Sequence, residues 1–309
     1  MSSAPGNDRA AAIVALLLVV VIWSSTFVAT KLLLGEAGPG QIAFLRFVVA
    51  SAILLPIARR GLVGPAIPWG RLALLGLAGV TGYFTFQNLG LVYTSASAAG
   101  LILACLPALV AVAAAAFLGE RLNRVRALGV LASVVGVAVI VVAGEPEPTA
   151  PNPLLGNGLM LLCCLTWVAY TMLGKGTEQL PVQVVSAGSI GFGALFLAPL
   201  ALVETLGRGL PSLSAGGWLG ILYLGSAASA GAFLLWNYAL RRLDASEAAV
   251  YLNIVPLLGV VLAAAMLNES VGPPEIVGAA LIVGGVTLAG RARSATSARE
   301  RVEHEPLEA

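Results

Sequence analysis

Within the apolar stretches of this chain, the side chains with chemistry to offer are mostly aromatic rings and amides rather than charges. Trp23, Tyr83, Gln87, Trp167, Tyr170, Trp236, Tyr251 and Asn253 stand out there. Rings stack on rings and on cations, and amides both donate and accept hydrogen bonds. Such groups hold a solute; they do not break bonds. Tyr83 and Gln87 are four apart and share one helix face. Trp23 and Trp167 lie mid-stretch, too deep for an interfacial belt. Tyr251 and Asn253 lie about one turn before Pro256. Taken singly, each is as well explained by packing. Taken as a set, they are expected to line an aromatic, sparsely charged cavity.

What is missing narrows the chemistry. No Asp or Glu falls in the central part of an apolar stretch, where ion-coupled carriers usually bury a carboxylate. The reading is therefore uniport or weak coupling. There is no phosphate-cradling G-x-x-x-x-G-K-[ST] loop. His304 is the one histidine and lies near the C-terminus. No H-E-x-x-H motif and no buried nucleophile–base pair are present, so an enzyme is not expected, and neither a metal site nor a cofactor. A net charge of +2 is too small to point to nucleic acid. Cys105, Cys163 and Cys164 fall inside apolar runs and read as small packing residues, with no disulfide framework.

The elements that position these residues follow from composition. The chain is 59% hydrophobic and 10% charged, whereas a soluble chain carries about a quarter charged residues. A membrane-spanning helix needs about 20 mostly apolar residues. Stretches meeting that description cover 10–33, 40–58, 70–93, 96–118, 124–143, 154–173, 182–204, 215–241, 245–267 and 273–290. The first is too long for a typical signal-peptide core. It also has a counterpart, since Trp23 and Lys31 recur with the same spacing as Trp167 and Lys175. The expected organisation is a cytoplasmic tail over 1–9, a five-helix unit over 10–143, a proline-rich outer linker over 144–153, a second five-helix unit over 154–290, and a charged, disordered cytoplasmic tail over 291–309. Basic residues such as Arg59, Arg60, Arg71, Arg124, Arg241 and Arg242 crowd the ends on one side, against Lys31 and Arg208 on the other. By the positive-inside rule both termini face the cytoplasm.

The two units are written from one template. Moving forward by 149 residues carries Gly82 to Gly231, Asn88 to Asn237, Ser97 to Ser246, Pro107 to Pro256 and Glu120 to Glu269. Gly129 and Gly136 reach Gly278 and Gly285 in the same way. An odd number of crossings per unit inserts the second copy upside down. The expected fold is thus all-α and integral to the membrane, with ten transmembrane helices in two inverted-topology five-helix repeats. Gln87 falls opposite Trp236 in this frame, and the broken symmetry points to substrate contact at both.

Pro107 and Pro256 each remove a helix donor and release a carbonyl, that of Leu103 or Leu252. They read as hinges or as structural kinks. Asn88 and Asn237 read as interhelical hydrogen-bonding residues. Arg46, inside the second stretch, reads as an anchoring residue close enough to the surface to snorkel. Lys31, Lys175, Glu120 and Glu269 mark helix ends.

These motifs resemble the drug/metabolite transporter superfamily, specifically its EamA-type ten-helix carriers. The resemblance rests on W-S-S-T-F at Trp23–Phe27 with Lys31, F-L-R-F at Phe44–Phe47, the endings Pro107–Glu120 and Pro256–Glu269, and the paired glycines of the fifth and tenth stretches. It spans the whole apolar part of the chain. It implies export of amino acids or related metabolites across a bacterial inner membrane, through a central cavity built mainly by helices one, three, four, six, eight and nine. The chain looks most like the branch exporting aromatic and other hydrophobic amino acids by alternating access, as a monomer or weak homodimer in the lipid bilayer. Other small metabolites or lipophilic drugs are the alternative cargo.

Overall fold

The computed structural model describes residues 6–63, 67–118, 124–143, 150–174, 177, 179–240, 251 and 254–303. Among the described residues the secondary structure is helical, with no strand. We label the helices α1 (Gly6–Leu33), α2 (Pro39–Ala58), α3 (69–93), α4 (96–118), α5 (Arg124–Ala143), α6 (Pro153–Gly174), α7 (Val182–Arg208), α8 (215–240), α9 (Ile254–Leu267) and α10 (Pro273–Glu303). Six of them, α1, α2, α4, α6, α7 and α8, are long and apolar enough to cross a membrane. α10 does not stop near residue 290 but continues to Glu303, which replaces the expected disorder over 291–303 with helix. The Ala, Arg and Glu residues of that segment are good helix formers.

Three helices are interrupted. Pro107 cannot donate to the carbonyl of Leu103. α4 accordingly ends its first half at Leu103, turns through Ala104 and Cys105, and restarts at Leu106. α3 and α8 each contain π-helical turns, over Leu77–Gly82 and Tyr223–Gly231. These two interruptions end at the equivalent glycines of the internal repeat.

Helix starts carry amide groups that no turn of their own can satisfy, and here carboxylates from other helices supply the acceptors. Glu204 of α7 accepts from Gly40 N at 2.9 Å and Gln41 N at 3.0 Å, at the start of α2. Glu36, just beyond α1, accepts from Ser214 N at 2.7 Å, at the start of α8. Glu269, just beyond α9, is only 4% exposed. It accepts from Ala96 N at 2.7 Å, Ser97 N at 2.9 Å and Ser97 Oγ at 2.8 Å, at the start of α4. Lys31 complements this by donating to the carbonyls of Leu91 and Thr94, where α3 ends. The helix-end charges Lys31 and Glu269 are therefore cross-links between helices. Their repeat counterparts Lys175 and Glu120 lie outside the described residues.

Packing links the two halves of the sequence throughout. α1 packs on α8 and α9, α6 on α3 and α4, α2 on α7 and α8, and α7 on α3. α5 and α10 form the most extensive pair, and glycine makes it close. A Cβ at Gly136 would meet Gly278 O, and one at Gly285 would overlap Gly129 O and meet Ser133. Pairing 129 with 285 and 136 with 278 makes the two helices antiparallel. Small residues are what allow such backbone contact. The cysteines fill the core: Cys105, Cys163 and Cys164 are buried and free.

Gly284 and Gly285 separate helix propensity from this contact, because nothing lies within 4 Å of a Cβ built at Gly284. Both Gly→Ala changes gain helix propensity of up to about 1 kcal/mol. Gly285→Ala should nevertheless lower the melting temperature in detergent micelles, because overpacking costs about 1–3 kcal/mol of stability. Gly284→Ala should hold or raise it. Equal melting temperatures would show that the seam yields freely.

Candidate functional site

A chamber of about 120 Å3 lies between the two halves of the sequence. One water needs only about 10–15 Å3, so this space suits a small solute. Its walls come from α1 (Trp23), α2 (Arg46, Phe47), α3 (Gly79, Phe84), α6 (Trp167, Tyr170), α7 (Ser186, Ser189) and α8 (Ala228, Ser229).

The aromatic wall is a connected chain of rings. Trp167 lies 5.1 Å from Tyr170 and 5.2 Å from Tyr83 between centroids. Tyr83 meets Phe84 at 4.8 Å, and Phe84 meets Phe47 edge-on at 4.6 Å. Tilted and edge-to-face contacts at these distances are the favoured geometries for aromatic pairs. Tyr170 rests directly on Gly79, where a Cβ would overlap its ring. Gly79 lies within the π-helical turns of α3. Opposite, Trp23 Nε1 donates to Ala228 O at 3.2 Å, which fixes the indole against the π-helical part of α8.

Arg46 is the charge in this chamber. It is 6% exposed and does not snorkel, contrary to the sequence expectation. Its Nε donates to Ser229 Oγ at 2.8 Å. The guanidinium carbon lies 4.5 Å from the Phe84 centroid and 5.4 Å from that of Phe47. Stacking on these rings replaces part of the water that a snorkelled head would keep. Among the described residues, no carboxylate lies within 4.0 Å of it. Ser229 Oγ in turn donates to Leu224 O at 2.8 Å. Ser186 Oγ donates to Val182 O at 2.7 Å and Ser189 Oγ to Ser186 O at 3.2 Å. A hydroxyl whose proton is committed presents only lone pairs.

The residues singled out from sequence divide into groups. Trp23, Trp167 and Tyr170 line the chamber. Tyr83, 9% exposed, stands behind Trp167 and Phe84 as backing. Gln87 is 5% exposed and is not among the lining residues. Trp236 meets Trp23 at 5.9 Å, but it packs with Tyr251 against Ala12, Leu16 and Ala239. Trp236 and Tyr251 thus form a cluster beside the chamber. Asn253 and the side chain of Asn237 lie outside the described residues. Asn88 Nδ2 donates to Pro39 O at 2.9 Å and ties α3 to the start of α2. Pro107 breaks α4, and Pro256 is buried in the first turn of the described α9. Ser24, in the W-S-S-T-F stretch, donates to Val255 O at 3.0 Å and so joins α1 to α9.

Arg46, Phe84, Ser186, Ser189 and Ser229 are among the chamber residues that sequence reasoning missed. A signal existed for Arg46, which stands directly before Phe47 in an otherwise apolar helix. The serines gave none, because isolated serines in apolar helices usually bond to their own turn.

Apolar helices enclosing a small ring-lined chamber define a membrane protein built to carry a small solute. Sequence comparison agrees. The chain belongs to the EamA-like transporter family, whose profile matches residues 10–142 and again 154–291. A protein of Archaeoglobus fulgidus named an uncharacterized transporter is 32% identical over 280 residues, covering 88% of this chain and 95% of its own. A probable terminal-alkyne amino-acid exporter of Streptantibioticus cattleyicolor is 30% identical over 285 residues, covering 91% and 93%. The aromatic amino acid exporter YddG of Ancylobacter novellus is 25% identical over 276 residues, covering 87% and 93%. One solved crystal structure superposes with a TM-score of 0.63 over 93% of this chain and 98% of its own, at 24% identity, and shows a shared fold.

A buried cation without an acidic partner costs stability that an apolar side chain of similar length does not. Arg46→Met removes that cost, and Ser229 Oγ keeps its bond to Leu224 O. The variant should melt in detergent at the same temperature as the parent or higher. A large fall would make Arg46 a structural residue.

Proposed function

We propose that this protein is a secondary transporter exporting aromatic and other hydrophobic amino acids by alternating access, as a uniporter. The observation that carries the reading is the chamber itself. It is ring-lined, sparsely charged and walled by helices from both halves of the chain. A flat apolar side chain finds stacking partners in Trp23, Trp167 and Tyr170. The two exporters described above carry amino acids in their names, one set aromatic and the other bearing an alkyne. This supports amino acids over lipophilic drugs or other metabolites as cargo. Membership of a transporter family supports a carrier over an enzyme.

The proposed architecture is ten spanning helices in two inverted five-helix repeats, with the linker over 144–153 outside and both termini in the cytoplasm. Three observations support it. The family profile fits each half separately. Exchanging each helix with the one five places on maps the packing pairs onto themselves: α1 on α8 becomes α6 on α3, and α1 on α9 becomes α6 on α4. The glycine seam of α5 and α10 runs antiparallel. Such symmetry gives a carrier two nearly equivalent packings. The first half of α4 packs on α9, near Glu269, whose carboxylate bonds tie the two halves together at that end of the bundle. Alternation would untie it and tie the opposite end. Gln87, Trp236, Tyr251 and Asn253 are proposed to meet the substrate in the alternate packing, and Pro107 and Pro256 to act as hinges, with Asn88 and Asn237 as fixed cross-links.

Purified protein in liposomes should exchange radiolabelled phenylalanine or tryptophan for the same amino acid loaded inside. Trp167→Ala should weaken apparent affinity for phenylalanine roughly two- to tenfold, the worth of one stacked ring pair, and should leave reconstitution unaffected. Movement of another solute class, with no amino acid moved, would overturn the reading.

A further inference from the structure

The notable chemistry of the chamber is an arginine with donors to spare. A guanidinium carries five N–H groups in a planar fork that matches a carboxylate edge to edge. Arg46 spends one of them, on Ser229 Oγ. Its face is occupied by the Phe84 ring, 4.5 Å from the guanidinium carbon. Stacking through the face directs hydrogen bonding to the edge. The group is 6% exposed, borders the chamber, and has no carboxylate partner among the described residues.

The remaining polar groups of the wall have the opposite character. Ser186 and Ser189 have each given their proton to a backbone carbonyl. They offer acceptors, as an ammonium group requires. The faces of Trp23, Trp167 and Tyr170 offer a second, weaker attraction to the same cation. Donors at Arg46 and acceptors elsewhere in the wall match a zwitterion, with one negative group for one guanidinium.

We infer that Arg46 is the carboxylate-binding residue of the chamber, and that the substrate class is defined by a free carboxylate next to an apolar side chain. This deepens the amino-acid reading above and rests on it. It sets a specificity that ring stacking alone does not: an amine lacking the carboxylate is rejected, because it leaves the guanidinium desolvated and unpaired and places a second cation beside it.

The test measures direct binding to purified protein by tryptophan fluorescence excited at long wavelength and by ligand-induced thermal shift. Trp23 and Trp167 report from the wall itself. The probes are phenylalanine, 3-phenylpropionate (carboxylate only) and phenethylamine (ammonium only). They are compared on the parent protein, Arg46→Lys and Arg46→Gln. Phenylalanine and phenylpropionate should bind the parent, and phenethylamine should not. Arg46→Gln should weaken both acids at least roughly tenfold, as expected for a lost charge-assisted pair, and should admit the amine. Arg46→Lys, with charge but no fork, should fall between. Phenylpropionate binding that depends on Arg46, without binding of phenylalanine, would support the carboxylate site and overturn the amino-acid reading. Equal affinity of the acids for the parent and Arg46→Gln would overturn the assignment. So would amine binding to the parent as tight as that of the acids, or no acid binding at all.

Discussion

Backbone amides at a helix start have nowhere to turn when water is absent, and the rest of this structure depends on how that need is met. At one end of the bundle the answer is a carboxylate from a helix distant in sequence. Glu204, Glu36 and Glu269 cap the starts of α2, α8 and α4. Each contact serves two purposes. It satisfies donors that a helix start leaves without partners of its own, and it fixes one helix start against another helix's end. Anions are also favoured at the positive end of a helix dipole. Because the bonds run between the two halves of the sequence, this end cannot open without breaking charge-assisted hydrogen bonds. The α5–α10 pair is held by a different principle, close backbone approach at glycines. One arrangement is polar; the other is steric.

The chamber shows the converse balance. Its charge is placed where solvation is poor, and among the described residues it is held by two rings and one serine, with no acid beside it. A structural arginine in such a place would ordinarily be paired. An unpaired one costs stability at rest and gains when an anion arrives. That difference between empty and occupied states is what a binding site needs. In the proposed reading the aromatic wall contributes shape and breadth, and the guanidinium orients the bound solute.

Much of the scaffold was legible in the sequence because it depends on local rules. Apolar runs gave the helices, Pro107 gave the break in α4, and the three cysteines are buried as their type suggested. The glycines at one fixed offset were legible as a repeat, but not as the α5–α10 seam they form. What stayed hidden depends on partners far along the chain. Glu269 was recognisable as a helix-end charge, but its partners lie 172 and 173 positions away. Arg46 looked close enough to the surface to snorkel, because nothing local reveals that Phe84 and Ser229 close over it. Trp236 was paired with Gln87 by repeat position, yet their surroundings differ. Equivalent positions share a backbone address, not neighbours.

The π-helical turns of α3 and α8 bear on which side chains face the chamber. Each such turn is one residue wider than an α-turn, so side chains beyond it are rotated by about 100° relative to an unbroken helix. A helical wheel drawn straight through α3 from Trp69 therefore misassigns the faces of Tyr83 and Phe84. In α3 the wide turns thus set which ring faces the chamber: without them Phe84 would be carried about a quarter-turn around the helix, away from the Arg46 guanidinium it now stacks on.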